Sequence, residues 1–335
     1  MLDEQEYEET NLKIYVCREF GPPTELLETD IPQPQPRGHE LLVDVQASGI
    51  GFVDGLMIQG LYQVKPPLPY YPGSEFAGIV SAIGDNVEGF AVGDRVLGTT
   101  NSGALAEFTC ASHQACFKVP ENMANAVAAG WFINYLTAIY GLQTCGDLQA
   151  GENVLILGAA GGVGSAAIAV AKAMGARVIA AASSEQKRDA AIANGADEVV
   201  DYSKEGWRKD LAVLTESTGL NMVYDPVGGS ATELALRSLA PEGRLLVVGF
   251  ASGTIPKIPL NLALLKRCAI IGVDWGGDSR AHPELNQPLM ESLFAWLNAG
   301  KLTPANVVER KLSDCRAALT DQLAGNIVGK LVLTQ

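Results

Sequence analysis

Histidine is scarce in this chain: His39, His113 and His282 are the only three among 335 residues. No histidine lies three or four positions from another, which excludes the paired helical histidines of the common zinc enzymes. Cys110, His113 and Cys116 do stand at threes, but no fourth ligand is near them in sequence, and small buried side chains are the simpler reading. The six cysteines are spread singly with no C-x-x-C pair, which argues against a disulfide framework and suits a reducing compartment. Basic residues are outnumbered 24 to 38, for a net charge of −14, so phosphate backbones and anionic lipid are repelled and no nucleic-acid partner is expected. Apolar runs such as Val154–Leu157 and Val178–Ala182 break off well short of the ~20 residues that span a bilayer. The stretch 1–10 carries Asp3, Glu4, Glu6, Glu8 and Glu9, opposite in sign to a signal or transit peptide, and reads as a solvated acidic tail. A soluble, cytoplasmic protein is expected.

Apolar residues make up 47% of the chain, with 36 Gly and 17 Pro, enough to bury sizeable cores between many turns. The length is roughly twice that of a domain of about 150 residues, so two domains are expected. From Leu12 to Val119 short β-like runs (Leu41–Ala47, Phe76–Ile83, Arg95–Gly98, Leu105–Thr109) are cut by Pro and Gly clusters, as in an irregular β domain. From Asn153 strands alternate with helices through Arg244–Gly249, which predicts an α/β domain with a parallel sheet and crossover helices. A strand at Cys268–Trp275, a helix near Pro288–Asn298 and a β-like run at Lys330–Thr334 follow.

The strand Asn153–Leu157 runs into Gly158-Ala-Ala-Gly-Gly-Val-Gly164 and then into a helix. Read as G-x-G-x-x-G with Ala159 for the first glycine, this places Gly161 where backbone approaches a pyrophosphate and Gly164 where helix packs on strand. The backbone of Ala160, Gly161, Gly162 and Val163, at the helix N-terminus, would hold the phosphate charge. The next strand ends in Ala182-Ser183-Ser184, without the carboxylate that binds an NAD ribose. A 2′-phosphate meets no repulsion at Ser183, and Ser183, Lys187 and Arg188 can supply hydrogen bonds and positive charge, so NADPH is the expected cofactor. Glu185 counts against this, although it equally suits the first turn of the following helix. Lys187 also reads as a solvated helix lysine.

The run from Leu148 through Gly164, with Gly195-Ala-Asp-Glu-Val-Val-Asp-Tyr202, Val223-Tyr-Asp-Pro-Val-Gly-Gly229 and the stretch 243–253, resembles the zinc-free quinone oxidoreductases related to zeta-crystallin, in the medium-chain dehydrogenase/reductase superfamily. Gly49-Ile-Gly-Phe-Val-Asp54, Gly60-Leu-Tyr62, the stretch 72–80 and Val92-Gly-Asp-Arg-Val96 resemble the catalytic domain of the same family. The resemblance implies a GroES-like β domain over 11–133 and 274–335 and a Rossmann doubly wound parallel-sheet domain over 134–273, with an active site in the cleft between them. It puts Ser183, Lys187 and Tyr202 around the 2′-phosphate, Thr137 near the nicotinamide, and Phe250, Ala251 and Ser252 along the ring. A threonine bonded to its own helix is an equal reading of Thr137.

The resemblance also implies hydride transfer to a small quinone or another α,β-unsaturated carbonyl, without zinc. Where zinc-dependent relatives carry ligands, this chain reads Gly49-Ile-Gly-Phe-Val-Asp54 and Gly73-Ser-Glu75. Without a Lewis acid, alcohol oxidation is disfavoured. The wall expected to bear Tyr and Arg has Leu56 and Ile58 instead. Tyr62, as an aromatic stack, and Asn134, as a hydrogen-bond donor, are the candidate catalytic residues; a packed tyrosine and a helix-bend cap are their plainer readings. Asp54 and Glu75 read as structural. An enoyl-thioester reductase, or a non-catalytic crystallin-like or RNA-binding protein that keeps NADPH, are the alternatives. The apolar strand 268–274 at an open sheet edge predicts a homodimer, and the resemblance points to the same strand.

Overall fold

The structure, a computed structural model, describes residues 11–335, so the acidic stretch 1–10 lies outside the described residues. The chain forms two compact units. The first runs to Phe132 and includes Glu309–Asn326 and Leu331–Gln335; the second is Ile133–Val308 with Ile327–Lys330. Residues 274–308, grouped with the first domain by sequence, cluster with the second unit.

The first unit is the GroES-like one. A hairpin-like pair, β1 (Asn11–Val16) and β2 (Leu27–Pro32), is separate from a seven-stranded sheet. In that sheet β3 (Glu40–Ile50) pairs with β4 (Glu75–Ile83) and β6 (Phe108–Ser112), while β4 pairs with β5 (Arg95–Thr99) and β5 with β7 (Cys116–Lys118), all antiparallel. The strand Lys330–Thr334 lies antiparallel to β3, with Leu331 opposite Ile50. Alternation places Leu41, Val43 and Val45 on one face of β3, where they meet Phe76, Val80 and Val96 in a core exposed by no more than 1%. The helices α1 (Phe52–Ile58) and α2 (Asn125–Ala129) complete the parts used below.

The β-like run expected at Leu105–Thr109 breaks in two. Ala106 bridges Ile14 of β1, whereas β6 starts at Phe108 and pairs with β3. Glu107 sits between these partners: its N–H donates to Lys13 and its carbonyl accepts from Val45. Apolar character is continuous across the run, but the hydrogen-bonding partner changes within it.

The second unit carries six parallel strands: β8 (Asn153–Leu157), β9 (Arg177–Ala181), β10 (Glu198–Val200), β11 (Leu220–Asp225), β12 (Leu239–Val247) and β13 (Ala269–Gly272). Their spatial order is β10-β9-β8-β11-β12-β13. This is the doubly wound Rossmann order, whose direction of winding reverses between β8 and β11. The connecting helices are α3 (Phe132–Ile139), α4 (Gly162–Ala173), α5 (Glu185–Ala193), α6 (Trp207–Leu214), α7 (Gly229–Leu236) and α8 (Asn261–Lys266), followed by α9 (Trp275–Ala281) and α10 (Asn286–Asn298). Leu155 and Leu157 pack with Trp207, Leu211, Ala235 and Leu262, while Val154 and Ile156 on the opposite face are just as buried. Both faces of the sheet are covered, which is why its strands read as continuous apolar runs. No helix among the described residues is long and apolar enough to cross a membrane.

Candidate functional site

In an open α/β sheet, loops at the carboxyl ends of the strands beside the winding reversal form a binding crevice. Here β8 ends in the turn Gly158–Gly161, and α4 begins at Gly162. Gly158 has φ +60°, in the left-handed region that favours glycine. Gly164 faces that turn so closely that a Cβ would lie 2.3 Å from the carbonyl oxygen of Gly158 and 2.8 Å from the Cα of Ala159. Both neighbours are backbone and cannot yield. A Cβ on Gly161 would meet only the Gly158 oxygen, at 3.5 Å, and its φ is an ordinary −82°. Gly164 is thus required by packing inside the protein, whereas Gly161 faces open space. That space adjoins the first N–H groups of a twelve-residue helix, which have no partner within the helix and attract an anion. Ala160 is buried, and its carbonyl accepts from the Gly329 N–H at 2.7 Å, fixing the turn from behind; Val163 is half-buried.

At the end of β9, next to β8, Ser183 is exposed and Ser184 caps α5, its hydroxyl accepting from the N–H of Lys187. Glu185 occupies the first turn of that helix, as its dipole reading expects. Tyr202 follows β10, with its phenol near the side chain of Ser183; burial, ahead of the charges of Asp225 and Asp201, raises its pKa. The structure therefore brings Ser183 and Tyr202 together, with Lys187 in the first turn beyond them. Arg188 does not join this group: it pairs with Asp201 at 3.0 Å and donates to the carbonyl of Ala182.

The β11 end is held by a buried carboxylate. Asp225 accepts from the N–H groups of Val227 and Gly228, at 2.8 and 2.9 Å, and from Thr232 Oγ1 at 2.6 Å. The loop of Phe250, Ala251 and Ser252 is pinned to this turn, Ala251 and Ser252 donating to the carbonyls of Pro226 and Val227. Phe250 is half-buried, and Ala251 and Ser252 are exposed.

Asn134 of α3 is buried, its amide nitrogen 2.7 Å from where a Cβ on Gly162 would stand. It borders the N-terminus of α4, so its side chain belongs to the glycine-turn neighbourhood. Thr137 donates from Oγ1 to the carbonyl of Ile133 at 2.6 Å, the helix-bonded arrangement. One residue that sequence reasoning did not single out belongs with them. Lys330 is buried, with its Cδ 3.4 Å from the same Cβ position on Gly162. A lysine ending the Gly329-Lys330 pair before an apolar strand carries no spacing signal; only the return of that segment to the turn reveals it.

In the first unit, Tyr62 is half-buried and Leu56 likewise, but Ile58 is 1% exposed and lies in the core, so it forms no wall. Asp54 accepts from the Gly51 N–H at 2.7 Å, as its structural reading expects. Burial pushes the Cys116 thiol up to about 12, and burial, ahead of Glu40, pushes that of Cys110 up to about 11. His113 Nδ1 accepts from the Glu88 N–H, and the ring is tilted against His39 at 5.4 Å. Among the described residues no three His, Cys, Asp or Glu side chains are grouped to hold a metal ion.

Residues 37–174 match the alcohol dehydrogenase GroES-like domain and residues 162–293 the zinc-binding dehydrogenase family. The chain is 36% identical to the quinone oxidoreductase-like protein 2 of Rattus norvegicus over 95% of its own length and 91% of that protein's. It is 33% identical to the quinone oxidoreductase of Homo sapiens, covering 94% and 95%. The chain belongs to the quinone oxidoreductase family of medium-chain dehydrogenase/reductases. A mycobacterial protein solved in complex with NADPH superposes with a TM-score of 0.89 at 33% identity, covering 97% of this chain and all of that one. Membership in this oxidoreductase family agrees with the fold of both units.

The two glycines separate by experiment. Gly164→Ala should lower the unfolding free energy by about 1–3 kcal/mol, as forced overpacking does. Gly161→Ala should leave it within about 0.5 kcal/mol. Urea titration of the two variants checks the difference.

Proposed function

We propose that this oxidoreductase uses NADPH to deliver hydride to quinones or other α,β-unsaturated carbonyls, without zinc. The observation that carries the cofactor choice is the end of β9. It has no carboxylate at Ser183, whose side chain meets the Tyr202 phenol, and Lys187 follows in the first turn of α5. The residues fit such a cofactor: the open face at Gly161 and the α4 N-terminus suit a pyrophosphate, and the Ser183 hydroxyl, Tyr202 phenol and Lys187 ammonium suit a 2′-phosphate. When bound, the nicotinamide supplies the hydride. In this reading the amides of Ala160–Val163 hold the diphosphate, the loop Phe250–Ser252 lies along the ring, and Thr137 and the Asn134 amide border it. Tyr62 is the aromatic candidate for stacking on the acceptor.

The metal-free part of the reading is supported by ligand chemistry. By the family resemblance, Gly49–Asp54 and Gly73–Glu75 stand where zinc-dependent relatives bring thiol and imidazole, and Asp54 accepts from the Gly51 N–H through Oδ2. A conjugated carbonyl is electrophilic as it stands, so cofactor positioning and a hydrogen bond to the developing oxyanion suffice. The test is turnover of NADPH against quinones, enones and enoyl thioesters in parallel. Quinone or enone reduction that survives dialysis against a chelator is expected. Activity lost with the metal and restored by zinc overturns the metal-free reading, and activity confined to enoyl thioesters overturns the acceptor.

Lys187→Ala should weaken NADPH binding roughly ten- to a hundredfold, the equivalent of about 1.5–3 kcal/mol for one charge-assisted contact, and leave NADH nearly unchanged. Fluorescence titration with both cofactors checks it.

A homodimer through β13 is part of the same proposal. This edge strand of the sheet is partly open to solvent, with Ile270 40% exposed, and Leu260, Leu264 and Leu265 on and before α8 are each more than 70% exposed. An unpaired ladder beside exposed leucines is a liability that a second copy removes. Sedimentation should give a dimer, and Ile271→Pro a monomer or insoluble protein.

A further inference from the structure

Arg188 is a cation at the right end of the right strand to meet a 2′-phosphate, yet its guanidinium is engaged elsewhere. Nη1 donates to the carbonyl of Ala182 at 3.2 Å and pairs with Asp201 Oδ2 at 3.0 Å, and the two side chains are only 18% and 12% exposed. Asp201 in turn organises the turn that bears Tyr202. Its Oδ1 accepts from the N–H of Ser203 at 3.1 Å and from Ser203 Oγ at 2.5 Å, and that hydroxyl lies 3.4 Å from the carbonyl of Ser183. Tyr202 sits between these two anchored residues, with its phenol on Ser183. The carboxylate is therefore one residue from the Tyr202 phenol that receives the phosphate in the proposed reading.

We propose that Arg188 and Asp201 are a positioning pair for cofactor discrimination: Asp201 fixes the Tyr202 turn, and Arg188 cancels the negative charge that this anchor would otherwise present to a 2′-phosphate. The inference rests on the NADPH reading and adds to it residues that do not touch the phosphate. One fact favours cancellation by Arg188 over the other nearby cation, and another shows that there is a charge to cancel. Lys204 stands 3.8 Å from the same oxygen and its side chain is 69% exposed, so water screens it. The hydrogen bonds of Ser203 and the neighbouring cations hold the Asp201 carboxyl below its usual range, so the charge is present at neutral pH. Beside the pair is a hollow open to solvent, of about 350 Å³, lined by Arg188, Asp201, Lys204 and Asp210 along with apolar side chains.

The test is fluorescence titration of NADPH and NADH with the full chain, its Arg188→Ala, Arg188→Lys and Asp201→Asn variants and the double variant Arg188→Ala/Asp201→Asn. Arg188→Ala should weaken NADPH about tenfold and NADH by less than about twofold, the cost of one uncancelled charge felt only by the phosphate. Arg188→Lys, which keeps the charge, should stay near the parent, and the double variant should recover most of the NADPH affinity lost in Arg188→Ala. Three results overturn the pair. They are NADPH binding untouched by Arg188→Ala; a double variant as weak as Arg188→Ala, which makes Arg188 a direct phosphate ligand; and both cofactors weakened in parallel, which makes the pair purely structural. A parent chain that binds the two cofactors equally overturns the NADPH reading itself, a result visible before any variant is compared.

Discussion

The close approach of α4 to the end of β8, set by the absence of a side chain at Gly164, is the contact on which the candidate site depends. With the helix seated on the Gly158 carbonyl, its N-terminus is aimed at the crevice where the winding of the sheet reverses. The register of the parallel strands then fixes what surrounds it. Leu157 lies opposite Ala181 and Ile156 opposite Tyr224, so the β9 end with Ser183 and the β11 end with Asp225 reach the same edge as the glycine turn. Raising α4 off its strand would move the amides of its first turn relative to every other group of the crevice.

Two carboxylates around this edge, Asp225 buried and Asp201 half-buried, do scaffold work. Asp225 satisfies two backbone N–H groups and a hydroxyl, and Asp201 holds both donors of Ser203. Each accepts several hydrogen bonds and so stiffens a turn whose amides would otherwise lack a partner in the protein. The loop of Phe250–Ser252 rests on the first of these turns and Tyr202 stands on the second, so each is supported from behind by a carboxylate-held turn.

Much of this was legible in the sequence. The alternation of strands with helices from Asn153 announced a parallel sheet, and a glycine run between strand and helix announced the turn. The missing carboxylate at the end of the second strand drew attention to Ser183, Lys187 and Arg188, whereas Tyr202 came only from the family resemblance. What stayed hidden depended on partners distant in sequence. Arg188 read as a free cation because nothing local says that Asp201, thirteen positions on, will claim it. Lys330 was silent because its place beside Gly162 is made by a segment returning from far along the chain. The break at Glu107 was invisible because hydrophobicity tells which residues are buried and not which strand they pair with.

The pairing of Lys330–Thr334 with β3 has a consequence for the order in which the protein is made. The second unit is inserted between these two strands in sequence, so a ribosome completes the whole Rossmann sheet before it supplies the strand that flanks residues 47–50. During that interval the end of β3 waits with an unpaired ladder edge, the kind of surface that recruits other chains. The two units therefore mature on different clocks: the later-begun sheet closes on local crossovers, while the earlier-begun one is held open by a loop of some hundreds of residues, the slow class of contact in folding.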